Sequence, residues 1–337
     1  MAEGDTRRDD HDRPGGLGDV RPAGLTAMGL LDGRVVVVTG GGRGLGRSHC
    51  LELASHGATV VVNDLGAGLH GEDDASGRPS PADEVVATIA ADGGTAVSDW
   101  TSVSDFAGVA ALIERTVATY GRLDAVVNNA GIIRDRMLTG MSEDDFDLVV
   151  AVHLKGTFNV TRHACAHWRA LAKAGGDVTG RIVNTTSGTG LFGNVGQANY
   201  GAAKAAIANL TVITAMEMDR YGVTANAISP IARTRMTEGL PSMRDDADGS
   251  WDRFDSANAS PVVAWLASAG SGWLTGAVLR IDGNTVQKVR GWEADPRLAY
   301  RAGGGERLDA TELDRGMRLA VGTLPSGLPT GSLAAGS

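Results

Sequence analysis

Short runs of β-branched and aliphatic residues alternate along the chain with longer stretches of helical periodicity. The runs are RVVVVT (34–39), ATVVVND (58–64), TAVSD (95–99), LDAVVNN (123–129), GRIVNTTS (180–187), VTANAIS (223–229) and AVLRID (277–282). Strands separated by helix-length crossovers are how a parallel sheet is written. The pattern predicts an α/β fold, a single doubly wound parallel sheet of about seven strands with helices on both faces. The domain is expected over 29–290. Residues 1–28, polar and without periodicity, read as a disordered N-terminal extension. Residues 291–337 read as a C-terminal arm with one short helix starting near Asp309 or Thr311, then a flexible tail from about Thr323.

Composition narrows the partners. With 337 residues, 42% of them apolar, the chain can bury a substantial core. A net charge of -9 without a basic stripe argues against nucleic-acid binding. No segment reaches the ~18 unbroken apolar residues of a membrane span, and the first 27 residues lack the apolar core of a secretory signal. The expectation is a soluble, cytoplasmic protein with no membrane contact. Cys50 and Cys165 show neither metal nor disulfide spacing, which fits a reducing compartment. His163 and His167, four apart on one helix, lack a third ligand; they are assigned to a packing or subunit-contact face, and no metal is expected.

Candidate chemistry gathers at strand ends. The first strand leads into TGGGRGLG, with Gly40, Gly44 and Gly46 in a TGxxxGxG pattern at a strand-to-helix turn. Such glycines let backbone approach a pyrophosphate at a helix N-terminus, although they also suit a plain loop. Asp64 closes the second strand, where a carboxylate accepts hydrogen bonds from an adenosine ribose or simply forms a turn. The fourth run ends in Asn128, Asn129, Ala130 and Gly131, suited to a dinucleotide crevice and equally to a turn. The polar loop from Gly66 to Pro81 reads as solvated, and the segment from Ser229 to Ser256 as either a lid or an insertion.

The most informative stretch is SGTGLFGNVGQANYGAAK, from Ser187 to Lys204. Tyr200 and Lys204 stand four apart at the start of an Ala-rich helix and so share a face. An ammonium ~4 Å from a phenol, at an effective dielectric of about 20, favours phenolate by ~4 kcal/mol, or roughly three pKa units. Lysine occurs elsewhere only at Lys155, Lys173 and Lys288, so Lys204 is not background. The spacing by itself also suits an ordinary buried tyrosine beside a surface lysine.

Together TGGGRGLG, NNAG, Ser187 and YGAAK, in this order, resemble the short-chain dehydrogenase/reductase family over about Leu30 to Gly283. The resemblance implies a single Rossmann domain and hydride transfer between a nicotinamide and a carbonyl/alcohol pair. It implies Tyr200 as general acid/base, Lys204 as the group lowering its pKa and holding the nicotinamide ribose, and Ser187 as donor to the substrate oxygen. It also implies cofactor contacts from Gly40, Arg43, Gly44, Leu45, Gly46, Asp64, Ser102, Val103, Asn129, Ala130, Gly131, Tyr200, Lys204 and Thr234. One position departs from the usual pattern: VHLKGTF places His153 where many members carry an asparagine that relays protons. The imidazole either keeps that relay or fills the position structurally.

VVVNDLGAG, NNAGIIRDRML, AVHLKGTF, FGNVGQANYGAAK and SPIARTRMT are similar to the (3R)-hydroxyacyl-CoA dehydrogenase branch, found in peroxisomal multifunctional enzyme type 2 and single-domain bacterial relatives. This implies oxidation of a 3-hydroxyacyl-CoA thioester of a fatty acid or steroid side chain, with Gly193 and Gln197 bordering substrate. A homodimer or homotetramer is expected on the same ground. Asp64 would repel a 2′-phosphate and favours NAD, whereas Arg43 could pair with that phosphate in NADP. The alternatives are an NADPH-dependent 3-oxoacyl reductase and a non-catalytic dinucleotide-binding regulator.

Overall fold

The computed structural model describes residues 29–72, 80–234, 251–291, 298–301 and 310–321. The expected N-terminal extension, the tail from Thr323 and the middle of the lid-or-insertion segment (235–250) lie outside these residues. The strands are β1 Val35–Thr39, β2 Thr59–Asn63, β3 Thr95–Asp99, β4 Ala125–Asn128, β5 Arg181–Thr185, β6 Thr224–Ile231, β7 Val278–Asp282 and β8 Thr285–Lys288. They form one sheet in the order β3-β2-β1-β4-β5-β6-β7-β8. All pairs are parallel except β7 with β8.

That eighth strand extends the expected seven. Its sequence TVQK leaves all four side chains exposed, so no apolar pattern marks it. The signal that could have found it is Gly283-Asn284, a two-residue hairpin connection with Gly283 at φ 56.

Helices cover both faces because the apolar strand residues alternate sides. Val36, Val38, Val60 and Val62 pack with α1 (Gly44–Ser55), α2 (Pro81–Ala91) and α8 (Ser260–Ala267), through Leu53, Ile89 and Leu266 among others. Val37, Val61, Val126 and Ile182 pack on the other face with α3 (Phe106–Tyr120), α5 (Gly156–Lys173) and α7 (Ala198–Met218). There Leu112, Trp168 and Met218 contribute, and the Trp168 indole N–H donates to the Leu123 carbonyl at 2.7 Å. Each buried side chain of this size stabilises by about 1.5–3 kcal/mol relative to exposure.

Two helices sit at the carboxyl edge of the sheet, α4 (Glu143–Val150) and the one-turn α6 (Gly188–Phe192). A Ser142/Asp145 capping box starts α4. Between α4 and α5 the chain takes one π-helical turn, Ala151–Lys155, a distortion found often at functional sites. The expected C-terminal helix is α9, Ala310–Val321.

Candidate active site

β1 lies between β2 and β4, so the connections leaving β1 and β4 diverge to opposite faces and open a crevice at their carboxyl ends. The Gly-rich turn fills that opening with backbone. Gly40 and Gly44 take left-handed φ values of 62 and 50, which glycine adopts without a Cβ penalty. A Cβ on Gly46 would lie 1.9 Å from the Gly40 oxygen, so the third glycine lets α1 close against the turn. No side chain caps the N-terminus of α1, which leaves its first amides for an anion.

Asp64 holds this turn from β2. Its Oδ2 accepts from the Gly42 N–H and its Oδ1 from the Gly66 N–H, both at 2.8 Å. A Cβ on Gly42 would come within 2.8 Å of Oδ2, so Gly42 belongs to the cradle although the TGxxxGxG spacing does not single it out. From β4, the Asn129 amide donates to the Gly40 carbonyl at 3.0 Å, and its own N–H donates to the Thr39 hydroxyl at 3.1 Å.

Asn199 fixes where α7 begins. Its amide donates to the carbonyls of Arg134 and Asp145, both at 2.9 Å, and its Oδ1 accepts the Tyr200 N–H at 2.7 Å. Tyr200 and Lys204 then face the crevice one turn apart. The Lys204 ammonium, 3% exposed, donates to the Thr185 carbonyl at 2.6 Å and lies 5.6 Å from the centre of the Tyr200 ring. Ser187 caps α6, its Oγ accepting the Thr189 N–H at 3.2 Å.

Burial dominates the proton chemistry of this pair. It pushes Lys204 down to about 7. It also raises the Tyr200 phenol above its ordinary range, an effect reinforced by Asp135 and opposed by the hydrogen bond from Ser187. The expectation that the lysine pulls the phenol down is therefore corrected for the protein by itself. Removing both groups from water favours neutral phenol and neutral amine.

His153 projects from the π turn and is 1% exposed. Its ring stands edge-on to Tyr200, centroids 5.1 Å apart at 89°. Its Nε2 lies 2.8 Å from the Ile132 oxygen and 3.1 Å from the Ile132 nitrogen, while Nδ1 is buried with no hydrogen-bond partner among the described residues. Burial first, then the Lys204 charge, hold the imidazole neutral with a pKa near about 3. A Cβ on Gly131 would lie 2.3 Å from its Cε1, so the glycine of NNAG makes room for this ring.

A cavity of about 440 Å³ joins these parts. Ser187, Tyr200, Lys204 and His153 line it, as do all the expected cofactor residues except Gly46. Thr234 reaches it beside the turn, its Cγ2 3.8 Å from where a Gly44 Cβ would stand. Gly193 and Gln197 do not line it. Gly193 ends α6 with φ 79, and the Gln197 amide is engaged by Asp135, Thr189 and Asn194. The loop read as solvated also departs from expectation, because Gly68, Leu69 and Gly71 wall the cavity. It is docked by Ile133 N–H to the Leu69 carbonyl at 3.1 Å and Arg134 Nε to the His70 carbonyl at 3.0 Å; residues 73–79 lie outside the described chain. The loop's polar composition gave no hint of that wall.

The Gly-rich cradle, the uncapped helix start and the paired Asp64 carboxylate fit a dinucleotide. Elsewhere His163 packs its ring against Phe106, centroids 4.4 Å apart. Among the described residues no helix is long and apolar enough to cross a membrane.

Comparison with known proteins agrees with this geometry. A family profile described as short chain dehydrogenase matches residues 34–245. The hydroxyacyl-CoA dehydrogenase ChsB1 of Mycobacterium tuberculosis is 44% identical over 292 residues, covering 86% of this chain and 88% of that protein. Peroxisomal multifunctional enzyme type 2 of Drosophila melanogaster is 44% identical over 269 residues, 74% of this chain but 42% of that enzyme, so the chain spans less than half of it. A crystal structure of a short chain dehydrogenase from Mycobacterium avium superposes with a TM-score of 0.77 at 46% identity, covering 90% of this chain and 98% of that one. The chain belongs to the short-chain dehydrogenase family and is an oxidoreductase acting on CH–OH groups with a nicotinamide cofactor.

Proposed function

We propose that the protein oxidises a (3R)-3-hydroxyacyl-CoA thioester, of a fatty acid or a steroid side chain, to the 3-oxo form with NAD. The observation that carries this reading is the convergence of Ser187, Tyr200 and Lys204 on the cavity that the Gly-rich turn and Asp64 also line. The name of the Mycobacterium tuberculosis relative, a hydroxyacyl-CoA dehydrogenase, favours the acyl thioester.

A bound nicotinamide dinucleotide supplies the hydride acceptor and, when oxidised, a positive charge. The Gly40–Gly46 turn and the first amides of α1 would hold its pyrophosphate, and the Asp64 carboxylate would disfavour a 2′-phosphate. Ser187, whose Oγ already accepts from Thr189, donates its proton to the substrate oxygen. Tyr200 takes the hydroxyl proton in oxidation and returns it in reduction. Lys204 would hold the ribose and, when protonated, supplies positive charge beside the phenol. His153, neutral and with Nδ1 unpartnered, is placed to accept or pass a proton next to Lys204, or to brace Tyr200 against Gly131. The outward apolar faces of α5 and α7 support assembly as a homodimer or homotetramer.

The test is to offer the purified protein 3-hydroxyacyl-CoA thioesters of both configurations, simple secondary alcohols and hydroxysteroids, each with NAD and NADP, and to follow reduced-nicotinamide absorbance. The reading expects turnover on the (3R) thioesters with NAD. A strong NADPH preference in the direction of 3-oxoacyl reduction would replace it with a reductase acting on carrier-bound substrate, a reading that the cavity-lining Arg43 favours. In support of that alternative, the 3-oxoacyl-[acyl-carrier-protein] reductase of Thermotoga maritima is 35% identical over 263 residues.

A further inference from the structure

We infer that Asp135 is a positioning residue for Ser187 and Tyr200, acting through Gln197 and Thr189; the inference rests on the dehydrogenase reading above. Asp135 lies beyond the NNAG turn and does not line the cavity. Its carboxylate accepts the Gln197 Nε2–H at 2.8 Å. Because an ionised carboxylate only accepts, this contact fixes which way the amide faces. The Gln197 Oε1 must then face the other side, where it accepts from the Thr189 hydroxyl and the Asn194 amide, both at 2.9 Å. Thr189 in turn gives its N–H to Ser187 Oγ at 3.2 Å. The Thr189 N–H occupies one acceptor lobe of the serine, whose hydroxyl is also hydrogen-bonded to the Tyr200 phenol.

The tether has a mechanical reason. A helix of five residues has little stability of its own, and α6 carries Ser187 at its N-cap. One side of α6 is held by close packing on α7, since a Cβ on Gly190 would lie 2.6 Å from the Lys204 Cβ and the Ala205 nitrogen. Its far end is Gly193, exposed and with nothing within 4 Å of its Cβ position. The Asp135–Gln197 contact supplies a second point of attachment, backed by the Arg136 N–H to Gly196 carbonyl bond at 2.9 Å. The same loop therefore carries both the serine tether and Gln197, the N-cap residue of the helix bearing Tyr200.

Asp135 also acts on Tyr200 through its charge, which disfavours phenolate. The other groups facing the phenol are Lys204 on its own helix, Ser187 at the start of α6 and His153 from the π turn. Of these four, Asp135 is the negative one. The site thus holds the phenol protonated to a higher pH than the remaining groups would, in exchange for a rigid serine.

Two variants separate geometry from charge. Asp135→Asn keeps an oxygen to accept from Gln197 and removes the charge; Asp135→Ala removes both. The readouts are the pH profile of turnover with a (3R)-3-hydroxyacyl-CoA, NAD affinity by tryptophan fluorescence, and melting temperature. The inference expects the rising limb of the oxidation profile to move to lower pH in Asp135→Asn. It expects Asp135→Ala to lose about tenfold in turnover with NAD affinity unchanged, more than Asp135→Asn loses. An unmoved limb in Asp135→Asn together with parental turnover in Asp135→Ala overturns it. So does a loss of activity in both variants that only tracks a loss of folded protein. Absence of turnover in the parent protein overturns the (3R)-3-hydroxyacyl-CoA reading and this inference with it, whereas an active parent with indifferent variants overturns this inference alone.

Discussion

Lys204 loses most of its hydration on α7 and receives one carbonyl, that of Thr185, in return. The fall from 10.5 to about 7 corresponds to a destabilisation on the order of 5 kcal/mol. Its sign follows from proton counting. Below pH 7 both folded and unfolded chains hold the proton and the full cost is present. Between 7 and 10.5 the unfolded chain binds a proton that the folded chain releases, so stability rises with pH. Lys204→Met is therefore expected to melt above the parent at pH 6 and to lose most of that advantage by pH 10. Calorimetry at the two pH values checks this, and an equal gain at both would assign the effect to packing. This cost was hidden in the sequence. Tyr-x-x-x-Lys places two groups on one helical face, but whether the lysine lowers the phenol depends on what covers both, and that is decided by β5, α4 and the π turn rather than by spacing. Asp64 illustrates the converse: its place at a strand end was legible, while its hold on Gly42 needed the folded turn.

Helix α7 is apolar on its outer side as well as its inner one. Val212, Ile213 and Met216 stand exposed on it, Met216 at 77%, and Phe158 on α5 and Phe146 on α4 are exposed as well. Helices that bury one side on the sheet normally put charge on the other, and an apolar outer face marks a contact surface. Met216→Asp is expected to lower the molecular mass measured by light scattering toward that of one chain while leaving the circular-dichroism spectrum unchanged. An unaltered mass would remove α7 from the proposed subunit contact. The strands β1, β2, β4 and β5 were readable because their β-branched runs are buried from both sides, while β3 and β7, only partly buried, were marked by their place between helix-length segments. The strand β8 was not, since a polar four-residue edge strand pairs through its backbone and needs no apolar signal. Gln197 shows a similar limit: the resemblance to the hydroxyacyl-CoA dehydrogenase branch pointed it toward substrate, and only the folded loop reveals that Asp135, Thr189 and Asn194 take its amide.

For the whole molecule, the sheet order creates the crevice and the strand ends furnish it from both sides. Gly40, Asp64 and Asn129 arrive from β1, β2 and β4 to form one half, and Ser187 with the Tyr200 helix forms the other. Because the first half supplies the Gly-rich turn and Asp64, and Lys204 is kept, removing the Tyr200 hydroxyl alone is expected to take the proton step and spare most of the hold on the dinucleotide. The Tyr200→Phe protein tests this separation most directly, with NAD binding and turnover on a (3R)-3-hydroxyacyl-CoA measured on the same preparation. The expected result is NAD affinity within about threefold of the parent and turnover reduced by at least ~100-fold. Turnover close to the parental rate would contradict the assignment of the proton to this phenol, and with it the catalytic account of the site.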